Sequence, residues 1–216
     1  MKHIAFFDID KTILSINSGE ALVKQAYRRN FINTIGFIKA VYAAIQYKLS
    51  LRDTHHIIRK MGSWLNGVSE EKLIKLTKDI FHEDIIPNIR PHIIEEIQKL
   101  KADGTQVVIL SSAIKWVCQP IGSHLKVDDV ICTELEVENG TLTGNPIGNY
   151  CFRAEKLNRL KEFCKRMNFD LKNAAYYADS IDDLPALEEV GFPVCVTPDK
   201  KLGKIAQIRG WTIQNW

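Results

Sequence analysis

The chain has 216 residues, of which 45% are hydrophobic and 25% charged, and a net charge of +3. That composition excludes a disordered or fibrous chain and supplies a sizeable core, in one domain or one domain with an insertion. The charge is too small to argue for nucleic acid, no Arg/Lys stripe interleaved with aromatics accompanies it, and the five Cys residues (118, 132, 151, 164, 195) lack a Cys-x-x-Cys pair, which points to reduced thiols, a cytoplasmic setting and no zinc site.

The N-terminus lacks the apolar core and cleavage site of a signal peptide. Ile4 to Phe7 predicts a strand, and it runs into Asp8-Ile9-Asp10-Lys11-Thr12. In an extended chain residues two apart point to one side, so Asp8 and Asp10 converge if the chain stays extended that far. Two close carboxylates repel, and the usual offsets are a shared proton or a divalent cation. Alone, the pair reads equally well as two solvated acids in a surface turn.

Residues 18–82 contain no Pro and repeat apolar residues at helical spacing, as in Leu22, Ala26 and Tyr27 or Ile57, Ile58 and Met61. Phe31 to Leu49 is apolar enough to raise the question of a membrane. Asn33, Lys39, Gln46 and Lys48 interrupt it and argue against a spanning helix. An amphipathic helix packed on a partner element is the preferred reading, and contact with a membrane surface the minor one. His55 and His56 are adjacent and do not share a helix face, which speaks against a two-His metal site. Gly62 to Ser69 breaks the pattern, and Ser69 caps a further helix.

Pro91 opens a helix over 91–103 with Ile93, Ile94, Ile97 and Leu100 on its apolar face, and Gly104 stops it. A strand over 106–110 ends in Ser111-Ser112, and a helix follows from about 113. A short strand lies around Val130 to Cys132. Alternation about Asn139-Gly140 signals a hairpin. A helix over about 155–167 carries Leu157, Leu160, Phe163 and Cys164 and has Lys156 at its start. A strand at 174–178 ends in Asp179-Ser-Ile-Asp182-Asp183, a helix over 183–190 has Pro185 in its first turn, and a strand at 193–196 finishes the core.

Strands alternating with helices predict an α/β fold, a Rossmann-like parallel sheet with helices on both faces and an inserted helical cap. The core is expected over 1–16 and 88–216 and the cap over 17–87. Ligands bind at the carboxyl ends of strands in such sheets, which places Asp8, Ser111 and Asp179 in one crevice.

The ordered set Asp8-x-Asp10-x-Thr12, Ser111, Lys156, Asp179-x-x-x-Asp183 resembles the four motifs of the haloacid dehalogenase-like hydrolase superfamily, and is closest to its phosphoserine-phosphatase-like branch, subfamily IB. Gly140-Thr-Leu-Thr-Gly144, Cys151-Phe-Arg-Ala-Glu-Lys156 and Val196-Thr-Pro-Asp-Lys-Lys-Leu202 extend the resemblance over nearly the whole chain. It implies a Mg²⁺-dependent phosphatase acting on a small phosphorylated metabolite through an aspartyl-phosphate. Asp8 is then the nucleophile and Asp10 the general acid and base. Mg²⁺ is held by Asp8, Asp179 and the backbone carbonyl of Asp10. Ser111, the N–H groups of Ser112 and Ala113 at a helix start, Thr12 and Lys156 meet the phosphate. Asp183 orients water on the ion, and Asp182 does the same or faces substrate. Arg52 lies where a cap Arg meets substrate in phosphoserine phosphatases.

Four positions depart from those enzymes: Asn17 stands where a Glu meets the substrate amine, Ser112 and Ala178 replace Gly, and Asp182 replaces Asn. Branch members resemble phosphatases for several phosphomonoesters, histidinol phosphate among them, so the substrate stays open. A phosphotransferase using the same intermediate and a non-catalytic binding protein that keeps the fold are the alternatives. A dehalogenase needs neither Mg²⁺ nor an acid at Asp10.

Overall fold

The computed structural model describes residues 3–48 and 63–216. Eight strands occur among the described residues: β1 (Ile4–Phe7), β2 (Gln106–Ile114), β3 (Asp129–Thr133), β4 (Leu135–Glu138), β5 (Thr141–Pro146), β6 (Ala174–Ala178), β7 (Phe192–Val196) and β8 (Thr212–Gln214). The helices are α1 (Ser18–Arg28), α2 (Thr34–Lys48), α3 (Glu70–Ile80), α4 (Pro91–Ala102), α5 (Lys115–Leu125), α6 (Ala154–Met167), α7 (Leu184–Leu187) and α8 (Lys200–Arg209).

Six strands form one parallel sheet in the order β3-β2-β1-β6-β7-β8. β1 is central and wholly buried, because helices cover both faces and leave no position for a polar side chain. Its alternation divides the core. Ala5 and Phe7 join Ile93 and Ile97 of α4 and Val117 and Ile121 of α5 on one face. Ile4 and Phe6 join Leu160 and Phe163 of α6, Ala186 of α7 and Leu202 of α8 on the other. The strand order reverses at β1, with β2 and β3 to one side and β6, β7 and β8 to the other, which makes the carboxyl end of β1 the switch point where ligands bind. Phe7 pairs with Ile109 of β2 and Tyr177 of β6, so the same register sets Asp8 level with Leu110 of β2 and with Ala178, the last residue of β6.

The sequence expectations hold for this alternation and for the hairpin, where Asn139 (φ 49°) and Gly140 (φ 75°) take the left-handed turn that joins β4 to β5. Three boundaries differ. β2 runs to Ile114, which pairs with Thr133 after a register shift beyond Leu110, so α5 begins at Lys115 and not near 113. Pairing with β3 overrides the cap-like appearance of Ser111-Ser112. The helix expected over 183–190 is the short α7. Beyond Val196 the fold adds α8 and edge strand β8; their signals were the cap at Asp199, the Leu202/Ala206 spacing and Gly210 at φ 65°.

Residues 18–48 and 63–88 are largely helical. Leu22 and Ala26 of α1 meet Leu73, Leu76 and Ile80 of α3 in the apolar cluster of the first sheet face, and Arg29 pairs with Asp79 and Glu83 across the two segments. The hairpin ties to this region through Gly67 N–H to Leu142 O and Leu142 N–H to Val68 O, both 2.9 Å. α2 packs on α1 through Phe37, whose ring stacks on Tyr27 at 4.5 Å, and buries Ala40, Ala43 and Gln46, while Ile35, Ile38, Tyr42 and Ile45 are exposed. Among the described residues no helix is long and apolar enough to cross a membrane. Arg52, His55, His56 and the spacing of Ile57, Ile58 and Met61 lie outside the described residues.

The turn into β7 demands a residue without a side chain. Gly191 N–H donates to Leu171 O at 2.9 Å, and a Cβ at this position would lie 1.9 Å from the Lys172 carbonyl oxygen. Backbone must move to admit it. Gly191→Ala is expected to destabilise the fold by ~2 kcal/mol or more, a fall of about 4–8 °C in Tm; an unchanged Tm would show that the turn yields at no cost.

Candidate active site

The chain does not remain extended past Asp8. The Asp8 N–H donates to Tyr177 O at 3.0 Å, continuing the ladder, and the Ile13 and Leu14 N–H groups then reach back to Asp8 O and Ile9 O in a wide helical turn. Lys11 sits at φ 57° inside that turn. The two carboxylates are thereby sent to different partners. Asp10 accepts the Ser18 N–H at 2.8 Å on Oδ1 and the Asn17 side-chain amide at 3.0 Å on Oδ2. Asn17 also caps α1, accepting the Glu20 N–H at 2.9 Å. The residue that stands where phosphoserine phosphatases carry Glu therefore holds Asp10 to the first turn of α1.

Asp8 faces Lys156. The Lys156 Nζ lies 2.8 Å from Asp8 Oδ1 and 2.7 Å from Asp183 Oδ1, and also donates to the Tyr176 hydroxyl at 3.3 Å. The Tyr176 hydroxyl in turn donates to Asp183 Oδ1. All four residues are buried. Tyr176 reaches this point because it alternates onto the sheet face that α6 covers, a role the sequence pattern did not single out. Arg159, one turn after Lys156, fixes α6 by donating to Cys132 O and Asn149 O, each at 2.6 Å.

Asp179 follows β6 directly. Asp8, Asp179 and Asp183 each bring a carboxylate oxygen within 4.8 Å of the others, all three buried. Behind them Asp199 acts as a brace. Its N–H donates to Asp179 O, its Oδ2 accepts from Ile181 N–H, and its Oδ1 caps α8 through the Lys201 and Leu202 N–H groups, at 2.8–2.9 Å. Sequence reasoning assigned Asp199 no role; the Pro-Asp that precedes a helical pattern was its signal. Asp182 lies outside the cluster of three and pairs with Arg153 at 2.7 Å.

Thr12 and Ser111 are buried beside this cluster's strands. Thr12 Oγ1 has no hydrogen-bond partner among the described residues. Because β2 continues to Ile114, the Ser112 and Ala113 N–H groups do not start a helix, which corrects the expected helix-terminus site. Ala113 N–H is directed to Ser111 Oγ at 3.3 Å, and Ser112 is exposed with its carbonyl accepting from Thr133 Oγ1 at 2.9 Å. The register shift frees this stretch from regular pairing, as bulges beside sites commonly do.

The electrostatics follow from three carboxylates around one ammonium. Burial, then the charges of Asp8 and Asp183, push Asp179 up to about 8. Burial pushes Asp183 up to about 6, with Lys156 opposing. Burial also raises Asp8 and Asp10 above the usual carboxylate range. Burial would lower Lys156, but Asp183 and Asp8 outweigh it and hold the ammonium well above its ordinary value. Removing that cation strands two buried anions. Lys156→Met is expected to cost about 3–5 kcal/mol, read as a lower urea midpoint with unchanged slope; an unchanged midpoint would show that Lys156 is not the counter-charge.

A second consequence concerns pH. In chelator, the folded state keeps on Asp179 a proton that the unfolded chain releases at ordinary carboxylate values. Unfolding then releases a proton between about pH 4 and pH 8, so this group's contribution to stability is full below pH 4 and lost as pH rises to about 8. Asp8, Asp183, Lys156 and Lys11 are the charges that bear on it. Asp179→Asn is expected to flatten the fall in Tm across that window; the same slope in both proteins would place the proton elsewhere.

The family model for haloacid dehalogenase-like hydrolases matches residues 5–188. A probable phosphatase of Mycobacterium tuberculosis is 30% identical over 97% of this chain and 74% of that protein. A histidinol-phosphatase of Neisseria meningitidis is 27% identical over the full length of both. A substrate-bound phosphoserine phosphatase structure shares the fold, with a TM-score of 0.76 at 19% identity over 99% of this chain and 93% of that one. The chain belongs to the haloacid dehalogenase-like hydrolases, in their phosphoserine-phosphatase-like branch, and is a phosphoric monoester hydrolase.

Proposed function

We propose that the protein hydrolyses a small phosphorylated metabolite through an aspartyl-phosphate on Asp8. The observation that carries this reading is the buried Lys156 ammonium bridging Asp8 and Asp183 beside Asp179. A nucleophilic carboxylate paired with a cation, which here opposes the effect of burial on Asp8, is what attack on a phosphate requires. Asp8 attacks phosphorus and the bond to the ester oxygen breaks. Asp10, raised by burial and steered by Ser18 and Asn17, gives that oxygen its proton. It then takes one from the water that cleaves the aspartyl-phosphate, which returns Asp8 and releases inorganic phosphate. The Thr12 hydroxyl without a partner, Ser111 and Lys156 are the donors for the phosphate oxygens.

The donor set suits Mg²⁺: hard carboxylate oxygens, close together, buried and under-neutralised by a single ammonium. Asp8 and Asp179, with the Asp10 backbone carbonyl, would hold the ion, and Asp183 would stand behind it while fixing Lys156. When bound, Mg²⁺ supplies positive charge that offsets the repulsion between phosphate and Asp8. Residues 17–87 are assigned to a cap that shields the pocket from water and selects the substrate. Relatives named histidinol-phosphatase and phosphoserine phosphatase support a small metabolite. Asn17, engaged with Asp10 and the α1 N-terminus, favours one other than phosphoserine. The five buried, unbridged cysteines fit a reducing, cytoplasmic setting.

Phosphate release from a panel of small phosphomonoesters with Mg²⁺ tests the reading. Wild type is expected to turn over one or a few compounds and to stop with EDTA. Asp8→Asn should be inactive and Asp10→Asn about 10²–10⁴-fold slower. Release that survives Asp8→Asn would sink the aspartyl-phosphate, and phosphate appearing on an added alcohol would make the enzyme a transferase.

A further inference from the structure

Packing does not account for the hydroxyl of Tyr176. The side chain is wholly buried on the sheet face covered by α6, α7 and α8, with Phe6 beside it on β1 and Pro193 beside it on β7. A Phe would fill the same space and bring no polar atom, and a buried hydroxyl costs free energy unless it is hydrogen-bonded. Tyr176 offsets that cost with two bonds. It donates to Asp183 Oδ1 at 2.5 Å and accepts from Lys156 Nζ at 3.3 Å.

The Lys156 ammonium has three N–H donors and no acceptor. Its partners are Asp8 Oδ1 at 2.8 Å, Asp183 Oδ1 at 2.7 Å and the Tyr176 hydroxyl. These partners differ in how firmly they are held. Tyr176 stands on a strand paired on both sides, by β1 and by β7, so it is the fixed member of the group. Asp183 stands at the start of the short α7, and its Oδ1 takes both the ammonium and the phenol. Lys156 is the movable member, because its ammonium ends a flexible four-carbon stem. Asp8 is the partner whose charge changes. It is an anion before attack on phosphorus and a mixed anhydride without that charge afterwards. Asp183 and Tyr176 make and break no covalent bond, so they are the acceptors that persist through both steps.

We propose that Tyr176 is a positioning residue for the hydrolysis: its hydroxyl, fixed on β6, keeps the Lys156 ammonium beside Asp8, directly and through Asp183, while Asp8 passes between carboxylate and acyl phosphate. The part played in turnover rests on the aspartyl-phosphate reading; the hold on the ammonium does not. Both bonds of the hydroxyl go to protein groups, so it acts on rate and not on substrate affinity. Displacing a catalytic group by about 1 Å costs on the order of 10²-fold in rate, and a lysine that has lost one of three anchors is free to move that far.

Tyr176→Phe keeps the ring and removes only the hydroxyl. One measurement reads the ammonium itself, in chelator and without substrate: the ¹H–¹⁵N correlation of Lys156 Nζ, assigned by its absence in Lys156→Arg. This signal is expected to shift and broaden in Tyr176→Phe as the ammonium gains exchange with water. The other measurement is turnover of p-nitrophenyl phosphate with Mg²⁺, in which kcat is expected to fall about ten- to a hundredfold with KM within about twofold of wild type. An ammonium signal unchanged in Tyr176→Phe overturns the proposal. So does an unchanged kcat, and so does a loss carried by KM alone, which would make the hydroxyl part of substrate binding. If wild type itself releases no phosphate, the aspartyl-phosphate reading is what fails, and the ammonium signal still decides whether Tyr176 holds Lys156.

Discussion

The buried ammonium of Lys156 is the constraint on which the rest of the site depends. It sits between Asp8 at the end of β1 and Asp183 beyond the end of β6, and Tyr176 hydrogen-bonds within the same group. A buried charge is tolerable only when paired and hydrogen-bonded. Three separate parts of the chain must therefore arrive at one place for any of them to be stable there. α6 is anchored accordingly, through the carbonyls that Arg159 binds, and Thr133 links β2 to the loop before α6 by bonding both Ser112 O and Cys151 N–H.

One ammonium does not neutralise three carboxylates. Burial, reinforced by the surplus negative charge, keeps Asp179 far above its ordinary range, and a pocket in that condition holds protons or a cation. Asp10 escapes the competition because the chain turns after Asp8. Its oxygens are given to the N-terminal turn of α1, with Asn17 serving both the carboxylate and the helix cap. Two acids one residue apart thus receive different surroundings, and different chemistry follows from the difference.

α1 connects two parts of the molecule with opposite requirements. Its first turn holds Asp10 by hydrogen bonds in a buried polar pocket, and its far end leads to α2, where Tyr27 stacks on Phe37 at 4.5 Å. The polar end is precise because the Ser18 N–H and the Asn17 amide each donate to a different oxygen of Asp10. The α2 end is apolar: Phe37, Ala40 and Ala43 pack inward.

Much of the fold was legible along the chain. β1, α4, the β4–β5 hairpin, α6 and β6 were visible from apolar periodicity, Pro91, Asn139-Gly140 and helix stops, since these signals act between near neighbours. Asp8, Ser111, Lys156, Asp179 and Asp183 could be named because each follows an apolar run or starts a helical one in an order that few chemistries share. Other features depend on partners far away in sequence. The extension of β2 to Ile114 needs Thr133 across the register shift. Tyr176 looks like an ordinary strand residue until α6 brings Lys156 to it. Asp199 braces Asp179 from the next loop, and Arg153 meets Asp182 across two turns. The sequence by itself determined the sheet's alternation and which carboxylates stand at strand ends, because periodicity and breakers are local. Only the tertiary structure decided which carboxylate meets Lys156 and which is held by α1, because burial and charge pairing exist only once distant segments are packed together.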